Sequence, residues 1–166
     1  MYTRCVARSS LIFSGRNKVS RYILDTNLYI RATRDNEQNR ALAAFLLAFT
    51  PQIYLHSVVA FELLAGATNP ALQKRTHEAF IEPFERRSRI ITPSHEAWKR
   101  AANVLAQLVG QKRVSLNGIT RSLVNDCVIA ASTRESGCVI ITENRRDFGM
   151  INTVLPIEIA EPWPIA

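Results

Sequence analysis

The sequence predicts an α/β domain built on a short, mainly parallel sheet with helices on both faces. Three observations predict it. Short apolar runs of strand length alternate with helix-length amphipathic stretches along most of the chain. The runs are near-continuously apolar, as in Cys138-Val-Ile-Ile-Thr142, which suits strands buried on both faces. The first run, Tyr22-Ile-Leu, delivers an aspartate, Asp25, at its C-terminal end, where open α/β sheets bind ligands.

Ile23-Leu24 opens a short buried strand ending at Asp25. Thr26 and Asn27 are N-cap types and predict a short helix. Asp35 with Gln38 three residues on resembles a capping box for a helix over Ala41–Phe49, which Pro51 ends. Gln52–His56 reads as a second strand. Ser57 is the expected cap of the next helix, which carries Glu62 and stops at Gly66. Asn69-Pro70 places a cap and a first-turn proline before a helix running to about Phe84, with Pro83 at its end. Arg89–Thr92 is a third strand.

Ser94 caps a long amphipathic helix whose stripe carries Ala97, Trp98, Ala101, Val104, Leu105 and Leu108. On that stripe Trp98 is expected in the core. Asn117-Gly118 marks a loop. Leu123–Thr133 is an apolar helix bearing Asp126, ended by Gly137, and Cys138–Thr142 is the clearest strand. Asp147 follows on a short loop. A last strand, Val154–Ile159, contains Pro156 and therefore belongs at an edge.

The chain has 166 residues, enough for one domain with a full core. No apolar run approaches the roughly 20 residues that span a bilayer. Cys5, Cys127 and Cys138 are an odd count without a CxxC pair, so they read as reduced thiols and favour a cytosolic, cytoplasmic setting. The net charge of +7 favours a polyanionic partner. Residues 1–20 hold Arg4, Arg8, Arg16 and Lys18 and no acid, so without them +7 falls to +3. This stretch is expected to be a flexible basic extension, with a basic arm or a targeting peptide as the other readings, and 21–166 the folded domain. Leu11-Ile-Phe13 is too short for a secretory signal.

Four acids sit in apolar surroundings: Asp25, Glu62 in Val58-Val-Ala-Phe-Glu-Leu-Leu-Ala-Gly66, Asp126 in Leu123-Val-Asn-Asp-Cys-Val-Ile-Ala-Ala131, and Asp147 before Phe148. Singly, each has an ordinary reading as a cap, a surface residue, a first-turn acid or a loop acid. Together they demand compensation, because clustered buried carboxylates are costly without a cation. Carboxylate oxygens suit Mg²⁺ or Mn²⁺. The acids are expected to converge at one sheet edge, within a distance on the order of 10 Å.

These motifs carry a resemblance. Leu-Asp-Thr-Asn at the first strand, Glu62 in a helix ending Leu-Leu-Ala-Gly, Asn-Asp-x-x-Ile-Ala-Ala, and Thr-x-Asn-x-x-Asp-Phe after a late strand resemble the PIN-domain nucleases. Among these they most resemble VapC-type toxins of bacterial toxin–antitoxin pairs. The resemblance covers roughly residues 21–163. It implies a three-layer α/β/α PIN-like fold and a Mg²⁺-dependent endoribonuclease, with Mn²⁺ an alternative. It further implies Asp25, Glu62 and Asp126 as the metal site, with Asp147, Asn144 or both completing it. Glu143 is an acid that departs from the family pattern. Thr26 and Thr142 are expected to support the site by hydrogen bonds. The implied partners are RNA (tRNA, rRNA or mRNA), a VapB-type antitoxin and a second copy of the chain.

Other chemistries fit less well. A haloacid-dehalogenase-type phosphatase needs a second Asp where Asn27 stands. There is no P-loop and no Gly-rich first turn. His56, His77 and His95 lack metal-ligand spacing and read as structural or surface residues. Arg121, Arg145 and Arg146 are candidate phosphate contacts. The remaining alternatives are a PIN ribonuclease of RNA processing and a non-catalytic RNA- or protein-binding module with the same fold.

Overall fold

The computed structural model describes residues 20–163. The basic extension and Cys5 therefore lie outside the described residues, apart from Ser20. The elements run β1 (Arg21–Leu24), α1 (Thr26–Arg34), α2 (Asn36–Phe49), β2 (Ile53–His56), α3 (Ser57–Gly66), α4 (Pro70–Phe80), α5 (Glu82–Glu85), β3 (Ile90–Ile91), α6 (His95–Gly110), α7 (Arg121–Ser136), β4 (Cys138–Ile141), α8 (Arg145–Asn152) and β5 (Glu158–Ala160). A single 3₁₀ turn, Leu116–Gly118, occupies the expected Asn-Gly loop.

The five strands form one sheet in the order β3-β2-β1-β4-β5. Every pairing is parallel, for example Ile23 opposite Tyr54 on one side and Ile140 on the other. The helices enclose the sheet in the α/β/α arrangement that a parallel sheet requires. Strand β1 is central, and the chain leaves it toward β2 in one direction and returns at β4 in the other. The β1–β4 seam is therefore the switch point of the sheet, where a crevice opens at the C-terminal strand ends.

The core explains this order. Ile23, Leu24, Ile140 and Ile141 are fully buried, so the end of β1 and the whole of β4 are apolar on both faces. Helix α7 is buried from Asp126 to Thr133 and lies between α6, α8 and β4. A helix buried on most of its circumference behaves as a core element rather than an amphipathic cover. Gly137 ends it in the left-handed conformation, φ 62°, a backbone state glycine adopts without steric cost. Cys127 and Cys138 are free and buried.

Several expectations are corrected. Asp25, not Thr26 or Asn27, caps α1, accepting from Thr26 N at 2.7 Å. His56, not Ser57, caps α3, its Nδ1 accepting from Val58 N at 3.2 Å. Helix α2 begins at Asn36, directly after its Asp35 cap. Helix α4 stops at Phe80, and Pro83 sits in the first turn of the separate α5. Trp98 is 50% exposed, because the buried stripe of α6 is Ala97, Ala101, Val104 and Leu108 and the ring points away from it. Residues 145–152 form a helix instead of a loop. Strand β5 keeps only three residues after Pro156, at the sheet edge. Trp163 packs on Phe45 at 5.5 Å and donates to Gln38 at 3.2 Å, fastening the tail to α2. Among the described residues, no helix is long and apolar enough to cross a membrane.

Candidate active site

The β1–β4 seam sets the first carboxylate. Asp25 N donates to Ile141 O at 2.9 Å, so the residue after β1 is held against the end of β4. Its carboxylate accepts from Thr26 N at 2.7 Å and from Thr142 Oγ1 at 2.6 Å. Thr142 in turn accepts from Asn144 N at 2.9 Å. Asn144 then joins two more acids: its Nδ2 donates to Asp126 at 3.0 Å and to Asp147 at 3.2 Å. As N-cap of α8, its Oδ1 also accepts from Asp147 N at 3.2 Å.

The opposite half of the circuit runs through Glu62. Thr26 Oγ1 donates to one of its oxygens and Asn125 Nδ2 to the other, the latter at 2.7 Å. Asn125 precedes Asp126 on α7. The polar contacts, with the Asn125–Asp126 peptide bond as one link, therefore close a ring: Asp25, Thr26, Glu62, Asn125, Asp126, Asn144, Thr142 and back to Asp25. Every carboxylate on it has at least one donor, which lowers the cost of holding the acids together.

Asp25, Glu62, Asp126 and Asn144 all border one cleft of about 650 Å³. Thr26, Asn27, Phe61, Thr120, Arg121 and Ser122 border it too. Asp147 reaches the group through Asn144. Glu62 and Asp126 each lie over a turn past the first residue of their helices, so Asp126 is not a first-turn acid. Glu143 lies outside the ring and pairs with Arg31. Of the arginines, Arg121 borders the cleft, Arg145 pairs with Glu161, and Arg146 is exposed.

Burial and crowding raise the proton affinity of two acids. Asp25 is pushed up to about 6, chiefly by burial, with Glu62 and Glu143 adding to it and Thr142 and Thr26 opposing. Asp126 is pushed up to about 8 by burial, then by Asp25, Asp147 and Glu62, against the Asn144 hydrogen bond. Both residues are 5% exposed. Such groups hold a negative charge comfortably only beside a positive one.

The donor set is carboxylate oxygen, which fits a hard divalent cation such as Mg²⁺ or Mn²⁺. Among the described residues no three Asp, Glu, His or Cys side chains form a closed ligand group. His56 is a buried cap, His77 pairs with Glu85 at 3.0 Å, and His95 is exposed.

Two residues of the cleft were given no role from the sequence. Asn125 stands in the Asn-Asp-x-x-Ile-Ala-Ala motif, and the amide beside Asp126 was the signal for a carboxylate partner. Phe61 precedes Glu62 and is 55% exposed, with nothing local to single it out.

Comparison with known proteins gives the family and the fold. The sequence profile of the family described as PIN domain matches residues 22–151. Among curated proteins, none matches the sequence. The DNA-bound VapBC of Salmonella typhimurium is similar in structure, with a TM-score of 0.64 and 21% identity, over 86% of this chain and 98% of that chain. FitAcB from Neisseria gonorrhoeae gives 0.63 and 19%, over 87% and 99%. A toxin–antitoxin complex from Klebsiella pneumoniae gives 0.58 and 22%, over 87% and 99%. At these identities the likeness is one of fold.

Proposed function

The chain belongs to the PIN-domain family, and on that premise we propose that it is a metal-dependent endoribonuclease serving as the cytoplasmic toxin of a VapBC-type toxin–antitoxin pair. The observation that carries this reading is the closed ring of acids and their donors around one cleft at the sheet switch point.

In this reading Asp25 and Asp126 hold Mg²⁺ or Mn²⁺, and Glu62 faces the same cleft from α3. The cation, when bound, polarises a phosphodiester oxygen and makes a water nucleophilic at neutral pH. The protein residues orient the rest. Thr142 and Thr26 fix the two oxygens of Asp25 so that its free lone pairs face the cleft. Asn144 keeps Asp126 and Asp147 on one side, with Asp147 in reserve as a further carboxylate. Arg121, exposed at the start of α7, offers a charge-assisted contact to a substrate phosphate. The resemblance implies hydrolysis that leaves 5′-phosphate and 3′-hydroxyl ends, with no covalent intermediate.

The antitoxin reading is supported by a second groove of about 250 Å³ lined by Ile30, Thr33, Arg34, Leu63, Leu72 and Phe80. It shares Ile30, Glu62 and Gly66 with the acid cleft, so a peptide laid along it would reach the carboxylates. A homodimer is part of the same proposal.

Controlled expression in bacteria tests the toxin role. Wild-type protein is expected to arrest growth, D126N to leave growth unaffected, and co-expression of a VapB-type partner to restore it. Growth arrest by D126N, or none by a well-folded wild-type protein, would contradict the proposal.

A further inference from the structure

Phe61 is a large aromatic side chain left 55% exposed in the wall of the acid cleft. Leaving more than half of such a ring in water forgoes part of the stabilisation that burial would give. It lies one residue before Glu62 on α3. One turn further along, the same wall consists of Ala65 and Gly66, which present a methyl group and no side chain. A Cβ placed on Gly66 would meet nothing within 4 Å, so the space past that wall is open. The remaining border includes Thr120, Arg121 and Ser122, which are donors suited to phosphate and ribose oxygens.

We propose that Phe61 is the platform on which an unpaired nucleobase of the RNA stacks while the adjoining phosphate lies over the carboxylates. This rests on the nuclease reading and adds a substrate requirement to it. A base inside a duplex has both faces covered by its neighbours, whereas an unpaired base can offer a free face to an aromatic ring. Stacking of this kind tolerates any sequence, because every base has a π-face. An apolar ring beside acids and an arginine matches one nucleotide: the ring meets the base, and the polar groups meet the backbone.

Equilibrium binding tests this. A short fluorescein-labelled single-stranded RNA of mixed sequence, and the same RNA annealed to its complement, are titrated with the full chain in Ca²⁺. Wild type, F61L and F61W are compared, with thermal melts to verify that each is folded. F61L is expected to weaken single-strand binding roughly 10-fold, to leave duplex binding within about 2-fold, and F61W to retain affinity. Indole fluorescence in F61W is expected to be quenched by the single strand. Single-strand binding unaffected by F61L overturns the proposal alone. So does an equal loss for both RNAs. A changed oligomeric state with unchanged RNA affinity would assign Phe61 to a protein contact instead. Absence of RNA binding by the wild type overturns both this proposal and the nuclease reading.

Discussion

Asn144 holds Asp126 by a 3.0 Å hydrogen bond from Nδ2 to Oδ2, across the gap between the start of α8 and the middle of α7. The same amide reaches Asp147, so one neutral side chain keeps two carboxylates on one side of the cleft. Without a donor between them, the two charges would turn apart.

Asn144→Ala is therefore expected to raise the Mg²⁺ concentration needed for half-maximal RNA cleavage by about 10–100-fold, the usual effect of losing a partner that orients a metal ligand. Saturating Mg²⁺ is expected to recover much of the rate. Cleavage measured over a Mg²⁺ series checks this. An unchanged Mg²⁺ dependence would show that Asn144 does not orient the acids.

Asp126→Asn is expected to abolish cleavage and yet stabilise the metal-free protein. The substitution keeps shape and removes a carboxyl that burial and three neighbouring acids disfavour as an anion. A gain of about 1–3 kcal/mol is expected, read as a rise in Tm of roughly 3–8 °C in EDTA. A melt at or below the wild-type Tm would mean that the site does not strain the fold.

The pH dependence has a clean window. The folded protein binds the Asp126 proton up to about 8, while the unfolded chain releases it near 3.8. Stability is thus greatest at low pH and falls as pH rises toward 8. Asp25 behaves likewise up to about 6. His56 acts in the opposite sense: burial lowers it to about 4 from 6.5, so its contribution is complete above 6.5 and lost as pH falls to 4. Between 6.5 and 8 only Asp126 of the three still titrates. In EDTA, wild-type stability is expected to drop by about 1–2 kcal/mol across that interval. Urea denaturation at the two ends checks it, and both Mg²⁺ and D126N should flatten the change.

His56→Asn isolates the acid side. Asparagine also caps helices, and it removes the buried Nε2, which has no hydrogen-bond partner. Its stability relative to wild type is expected to improve by about 2 kcal/mol on going from pH 6.5 to 4.5. Urea midpoints at both pH values test this, and an unchanged difference would mean that His56 takes up its proton in the folded state as easily as in the unfolded one.

What could be read from the sequence follows physical lines. The strands at β1 and β4 were legible because both faces are buried and the runs are continuously apolar. Asp35, Asn69, Ser94 and Gly137 were legible because capping chemistry is local. Asp25, Glu62 and Asp126 were legible because carboxylates in apolar settings are costly. Helix α8 was not, since its sequence Arg145-Arg-Asp-Phe-Gly-Met-Ile-Asn152 carries a glycine and buries only Phe148 and Ile151. The His56 cap was missed because a serine followed it and is the commoner cap type. Trp98 was placed inward because its position neighbours the buried stripe by one residue, and the stripe of α6 is narrow. Phe61 takes its surroundings from distant elements, which no local pattern records, and the partner of Asn125, Glu62, is likewise 63 residues away.

The measurement that tests the central claim most directly is cleavage of RNA by purified protein in Mg²⁺ or Mn²⁺, beside D25N and an EDTA control. Wild-type protein is expected to cleave with 5′-phosphate products, and cleavage is expected to be lost in EDTA and in D25N. Cleavage that persists in D25N or in EDTA would contradict a metal-dependent reaction at this cleft.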